Sequence, residues 1–313
     1  MASARSQLTG IATLLLSATI WGFAFVAQRA GMEFVGPFTF NGIRFALGAL
    51  ALVSMSLLFR HRGTPSVASV RKSRVWVAAG LAGLVLFVSA NLQQVGLVYT
   101  TAGKAGFITG LYVVIVPLLG LLRRHRVSGF VWAGCGLAAV GMYLLSVVGA
   151  FSLARGDALV FVGAIGWAVH VHIVSWLAQR WPPLRIAIVQ FAICSILSLV
   201  VAGCAETIQW TSVIQAGWLI AYAGILSVGV AYTLQIVGQR RVDPAPASVI
   251  LSMEAVFAVL GGWILLSETL STRGLIGCGL MLGGMILAQI RTRRSTRCIE
   301  GSEREGALTS HLP

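Results

Sequence analysis

Residues 134–142 read Gly-Cys-Gly-Leu-Ala-Ala-Val-Gly-Met, and residues 277–285 read Gly-Cys-Gly-Leu-Met-Leu-Gly-Gly-Met. Gly134, Cys135, Gly136 and Leu137 thus return as Gly277, Cys278, Gly279 and Leu280 at an offset of 143, and Gly141-Met142 returns as Gly284-Met285. A second match has nearly the same spacing: Leu92-Gln93 and Gly96 recur as Leu234-Gln235 and Gly238, 142 residues on. Similarity at one long, fixed offset marks duplication. The chain reads as one unit written twice.

Both copies lie in apolar sequence. Of 313 residues, 57% are hydrophobic and 10% charged, with a mean hydropathy of +0.88, which no water-soluble core arrangement accommodates. A bilayer core of about 30 Å takes roughly 20 helical residues. Ten runs of about that length are present: 8–28, 36–59, 75–98, 103–122, 129–149, 157–178, 184–204, 216–238, 244–266 and 272–290. A membrane β-barrel needs short segments of alternating polarity, and these runs are continuous. The expected fold is an all-α membrane protein of ten transmembrane helices in two five-helix repeats, 1–149 and 150–290, followed by a polar tail, 291–313. The first run is longer than a signal-peptide core and lacks a small-residue cleavage site, so it is expected to be the first helix.

Charge sets the topology. The excess of 23 Lys+Arg over 9 Asp+Glu gives +14, but the basic residues sit between apolar runs, with no basic amphipathic helix, so nucleic-acid binding is excluded. With the N-terminus in the cytoplasm, 18 basic residues fall inside and four, Arg29, Lys104, Arg155 and Arg273, fall outside or at the outer rim. That asymmetry predicts cytoplasmic termini. Five is odd, so the two copies must cross the membrane in opposite senses, and the loops agree. The basic loop 60–74 between spans 2 and 3 corresponds to 205–215 between spans 7 and 8, which holds no Lys or Arg. The basic stretch 123–126 likewise corresponds to the nearly neutral 267–273. Inverted repeats give a bundle two related ways to open, one toward each face, which points to a transport pathway; a duplicated scaffold without a pathway is the competing reading.

Catalysis and metal binding find no support. There is no phosphate-binding loop, nucleophile elbow, HExxH or paired aspartate, so no catalytic residue, cofactor or metal is expected. Cys135, Cys194, Cys204, Cys278 and Cys298 are scattered, without a CxxC. His170 and His172 are two apart, about 200° around a helix, so they cannot share a metal, and at most one of them faces a cavity.

The run from Ala90-Asn91-Leu92-Gln93-Gln94 through Tyr99-Thr100-Thr101-Ala102-Gly103-Lys104 to Tyr112 and Pro117 resembles the third and fourth helices of EamA-type members of the drug/metabolite transporter superfamily. Trp21-Gly22, Met253-Glu254-Ala255-Val256 and Ser267-Glu268-Thr269-Leu270 extend the resemblance across all ten spans. It implies a ten-helix basket in the bacterial inner membrane, with a central cavity lined by spans 1–4 and 6–9 and with spans 5 and 10 peripheral. It also implies export of metabolites, amino acids or drugs. Two positions depart from the family pattern: Ala255 stands where proline is usual and Ser267 where glycine is usual.

Candidate cavity residues follow from the cost of polar groups at membrane depth, about 2.5 to 3.5 kcal/mol for a charge. Glu254, ten residues into span 9, is either a proton-coupling or amine-binding site or a structural glutamate bonded to a neighbouring helix. Arg44, two turns into span 2, is too deep to snorkel and is expected to pair with Glu33 at the rim or with a cavity group. Lys104 either snorkels to the outer interface or meets an anionic substrate group. Glu268 is expected to pair with Arg273.

Asn91 and Gln94 share a helix face that either lines the cavity or bonds across helices, whereas Gln93 points elsewhere but matches Gln235 in the second copy. Trp21, Trp167, Tyr112 and His170 complete the candidate lining, the aromatics serving either to stack on substrate or to pack the bundle. Gly106 and Gly110 match Ser248 and Ser252 and are expected to let spans 4 and 9 cross closely. The glycines of spans 5 and 10 are expected to pack tightly, within the chain or between the protomers of a homodimer.

Overall fold

A computed structural model describes residues 2–58, 72–100, 102–122, 127–146, 155–266 and 271–290. The expected polar tail and most of the basic loop residues lie outside these. Each predicted span is helical: α1 Ala2–Gly31, α2 Pro37–Leu58, α3 Lys72–Tyr99, α4 in two segments Ala102–Gly110 and Tyr112–Leu122, and α5 Gly129–Ser146. The second half follows as α6 Arg155–Ala178, α7 Pro183–Ala205, α8 Gly217–Gln239, α9 in two segments Pro244–Leu251 and Glu254–Leu266, and α10 Thr272–Ile290. Among the described residues eight helices are long and apolar enough to cross a membrane, with shorter apolar helices at Gly129–Leu144 and Pro244–Leu260.

Local chemistry explains the boundaries. Pro37, Pro183 and Pro244 open α2, α7 and α9, where a missing N–H costs nothing and a fixed φ suits the first turn. The first turn of α2 is capped from the other half of the chain: the Phe38 and Thr39 amides donate to the Glu206 carboxylate at 2.9 and 2.8 Å, and Thr39 Oγ1 donates to it at 2.6 Å. This satisfies orphan amides with a negative charge at the positive end of the helix.

Exposed large side chains, including Leu57, Trp76, Val77, Leu122, Ile214 and Trp218, form an apolar exterior suited to lipid. Membrane helices have no hydrophobic drive toward one another, so close packing holds them together. α5 and α10 show how. A Cβ on Gly134 would meet the Gly284 carbonyl at 2.6 Å, and a Cβ on Gly141 would meet the Gly277 carbonyl at 2.6 Å. Position rises along α5 as it falls along α10, so these equivalent helices run antiparallel. α2 and α7 do the same: Ser195 Oγ donates to the Gly42 carbonyl at 2.8 Å, and the Phe45 and Phe191 rings lie 5.9 Å apart. Equivalent helices that pair antiparallel are the geometry of inverted repeats.

The remaining contacts come in matched sets. α3 packs on α6 as α8 packs on α1, and α4 packs on α6 as α9 packs on α1. Equivalent glycines approach equivalent backbone: Gly156 the Gly96 carbonyl, Gly10 the Gly238 carbonyl.

Two irregularities shape the centre. α4 breaks at Leu111 and α9 at Ser252-Met253, matching places 142 apart, although α9 has no proline there. The Ser248 and Ser252 hydroxyls instead donate to the Ala245 and Val249 carbonyls at 2.8 and 2.9 Å, competing with the helix ladder. In α8, Tyr222–Tyr232 is wound as a π-helix, whereas its counterpart α3 is continuous. The widened turns are held by α1, from which Ser17 donates to the Ala231 carbonyl at 2.9 Å and Trp21 to the Ser227 carbonyl at 3.1 Å. Such segments recur at functional sites.

Candidate functional site

A cavity opens at the meeting of the two repeats. It is built from equivalent positions. Trp21 of α1 and Trp167 of α6, 146 residues apart, face it together, as do Phe25 and Val171 at the same offset. Gln93 and Gln235, Thr109 and Leu251, and Tyr112 and Glu254 are three further pairs, each at an offset of 142. Only Gln28, Arg44, Ser227 and Tyr232 line it without their counterparts. The walls come from α1 to α4, α6, α8 and α9; α7 contributes no lining residue, which corrects the expectation that it would. α5 and α10 lie away from the cavity, against each other.

Tyr112 and Glu254 begin the second segments of the two broken helices, and the Tyr112 hydroxyl donates to Glu254 Oε1 at 3.4 Å. Two equivalent residues can touch only at the pseudo-twofold axis. Around them stands an aromatic wall: the Tyr232 ring lies 4.7 Å from Trp21, edge-on, and 6.1 Å from Trp167, stacked. The polar pairs are used unequally. Trp167 Nε1 donates to Gln93 Oε1 at 2.8 Å, with Thr109 Oγ1 donating to the same oxygen at 3.4 Å. In the other half Trp21 donates to a backbone carbonyl, and Gln235 Oε1 is buried with no hydrogen-bond partner.

Six expected lining residues, Glu254, Tyr112, Trp21, Trp167, Arg44 and Gln235, face the cavity together. Others do not. Asn91 and Gln94 take the interhelical alternative: Asn91 accepts from Asn41 at 2.9 Å and donates to Ser198 at 2.9 Å, tying α3 to α2 and α7. Gln94 is fully buried and donates to the Gln28 carbonyl at 3.3 Å. Gln93, expected to point elsewhere, is the cavity amide of α3, and its match with Gln235 was the signal. His170 lies behind the aromatic wall, its Nε2 2.9 Å from Gln190 Oε1, so it does not reach the cavity.

Arg44 pairs with neither the exposed Glu33 nor any other carboxylate among the described residues; its guanidinium lies over Phe45 and Phe40, 5.0 and 5.7 Å from the ring centroids. Spans 4 and 9 do meet, but the glycines do not make the crossing: a Cβ on Gly106 would meet nothing within 4 Å, and one on Gly110 would meet Met142 of α5 rather than α9. The Lys104 side chain and Glu268 lie outside the described residues. Among those described, no three His, Cys, Asp or Glu residues cluster as a metal site.

The fold and the cavity define a class: an integral membrane protein of two inverted helical repeats enclosing a polar, aromatic-walled chamber. The EamA-like transporter family profile matches residues 8–147 and again 154–289, and the chain belongs to that family. It is similar to an uncharacterized transporter of Archaeoglobus fulgidus, 29% identical over 89% of this chain and 85% of the relative. It also resembles the uncharacterized inner membrane transporter YedA of Escherichia coli K12, 27% identical over 87% of each, and the threonine/homoserine exporter RhtA of that strain, 25% identical over 92% and 93%. A solved crystal structure aligns with 93% of this chain and 98% of its own at a TM-score of 0.72; at 22% identity it speaks to the fold alone. The protein is a multi-pass membrane transporter.

Proposed function

We propose that this transporter exports small metabolites, amino acids foremost, from the bacterial cytoplasm across the inner membrane by alternating access, with both termini cytoplasmic. The observation that carries alternation is the unequal use of two equivalent Trp–Gln pairs. Trp167 holds Gln93, while Trp21 is turned to a backbone carbonyl and leaves the Gln235 oxygen unsatisfied. A buried, unpaired amide oxygen costs about 1 to 3 kcal/mol, and a state that forms Trp21–Gln235 and releases Trp167–Gln93 would move that cost from one half to the other. Exchanging the conformations of inverted repeats does this and moves the opening to the opposite face.

The walls suit a compact metabolite. Amide oxygens, a carboxyl group and aromatic faces around the cavity accommodate an amino acid, with Glu254 receiving either the substrate ammonium or a coupling proton. The name of the threonine/homoserine exporter among the relatives favours amino acids over drugs or lipid-linked substrates.

Uptake of a pooled radiolabelled amino-acid panel by purified protein in liposomes, with and without an imposed pH gradient, tests this reading. Uptake above empty liposomes, lost in Glu254→Gln, is expected. No uptake of any member under either condition overturns the amino-acid assignment.

A further inference from the structure

Arg44 breaks the symmetry of the chamber. Its counterpart 146 residues on is Gln190, whose Oε1 lies 2.9 Å from His170 Nε2 while its Nε2 is buried without a partner. The position equivalent to His170 is Ala24, which has no side-chain hydrogen-bonding atom to offer. The same place in the fold therefore holds a hydrogen-bonded pair of neutral side chains in one half and, among the described residues, a guanidinium without a polar partner in the other.

The incompleteness is chemical as well as geometric. Arg44 is 3% exposed, lines the cavity and has no hydrogen-bond or ion-pair partner among the described residues; its Nε is buried and unpaired. The Phe40 and Phe45 rings lie against it, with Cys194 and Tyr232 nearby. Stacking on rings fixes the plane of a guanidinium while leaving its edge N–H groups free. Those groups form a rigid fork whose natural complement is a carboxylate, held by two parallel hydrogen bonds. A cation withdrawn from water without a counter-ion is costly, and the missing partner is most simply supplied by cargo.

We infer that Arg44 is the anion subsite of the chamber, binding the carboxylate of the transported molecule between α2 and the aromatic wall. This rests on the transport reading above and deepens it: the substrate class is small carboxylates, and an amino acid would lie with its carboxylate on Arg44 and its ammonium toward Glu254. An amine or a neutral drug would leave the guanidinium unmatched.

Binding of phenylalanine, phenylalaninamide, phenethylamine and 3-phenylpropionate to the purified full-length protein, measured by calorimetry, separates the possibilities. The same panel is run on Arg44→Gln and Arg44→Lys, each checked for monodispersity and melting temperature. Expected for the wild type is a preference of about tenfold or more for the carboxylates over the amide and the amine, since a charge-assisted pair is being made. Arg44→Gln is expected to erase that preference. Arg44→Lys is expected to keep part of it, as a charge without the fork.

Equal binding of all four compounds, unchanged in Arg44→Gln, overturns the subsite while leaving a transporter in place. Tight binding of 3-phenylpropionate alone, lost in Arg44→Gln, upholds the subsite and overturns the amino-acid assignment. Binding of none of the four overturns the subsite, while the amino-acid assignment is decided separately by the pooled uptake above.

Discussion

The Tyr112 hydroxyl meets the Glu254 carboxylate at 3.4 Å, and the two residues occupy one and the same position in the two repeats, 142 apart. The symmetry axis of the bundle therefore passes between a phenol and a carboxyl group, in the wall of the cavity. If the duplication put identical residues there, two carboxylates would face each other and repel, or two phenols would leave no acid. Divergence at one site produced a donor and an acceptor.

Removing the charge should therefore matter far more than removing the hydroxyl. Glu254→Gln is expected to lower transport about tenfold or more, since it deletes the acid at the chamber wall. Tyr112→Phe removes only a long hydrogen bond and is expected to stay within about threefold of the wild type. The exchange Tyr112→Glu with Glu254→Tyr, which rebuilds the pair across the axis, is expected to recover part of the activity that Glu254→Tyr alone loses. Initial rates in liposomes at matched protein content measure all four.

The unequal Trp–Gln bonds predict opposite effects from equivalent substitutions. Gln93→Ala removes the bond that holds the present arrangement, and Gln235→Ala removes the one expected in the exchanged arrangement. A reporter cysteine at Thr109, in a cysteine-free background, is expected to gain maleimide reactivity from one face of the membrane in Gln93→Ala and from the other in Gln235→Ala. A shift in the same direction for both would falsify the exchange.

Glycines of α5 are expected to separate packing from transport. A Cβ at Gly134 or Gly141 runs into backbone carbonyls of α10, which cannot swing aside, so Gly134→Ala and Gly141→Ala should each destabilise by about 1 to 3 kcal/mol. Gly136 has nothing within 4 Å; Gly136→Ala is expected to be neutral or to stabilise by up to about 1 kcal/mol through helix propensity. Unfolding in mixed detergent reports the difference, and substrate affinity should be unchanged in the well-folded variants.

The Asn41–Asn91–Ser198 network predicts a stability effect without a specificity effect. Asn91→Ala is expected to cost about 0.6 to 2 kcal/mol, the range for hydrogen bonds between membrane helices, with affinity unaltered. Gln93→Ala, two residues away but on the cavity face, is expected to do the reverse. Denaturation midpoints and binding constants on the same two variants decide it.

The architecture was legible because its signals are long-range and survive a uniformly apolar background. Glycine clusters at 134–142 and 277–285 and the reversed charge of the loops carry through divergence, since each answers a physical demand, close backbone approach or topology. The faces of single helices were not legible. In a soluble helix a polar stripe marks the solvent side, but α3 is apolar all round, so Asn91, Gln93 and Gln94 had no reference direction. The repeat supplied it: Gln93 has an amide as its counterpart, Gln235, whereas Asn91 pairs with Thr233 and Gln94 with Ile236. The π-wound turns of α8 left no trace in sequence, because nothing distinguishes Tyr222–Tyr232 from ordinary membrane helix until α1 is packed against it.

The glycine contacts of α5 and α10 have a consequence for how such a molecule can move. Gly134 on Gly284 and Gly141 on Gly277 are images of one another, so trading the shapes of the two halves returns this pair to itself. A part that an operation leaves unchanged can stand still while the operation happens. On the proposed exchange, α5 and α10 can serve as a stator, and the close glycine contacts between them need never be broken in a cycle.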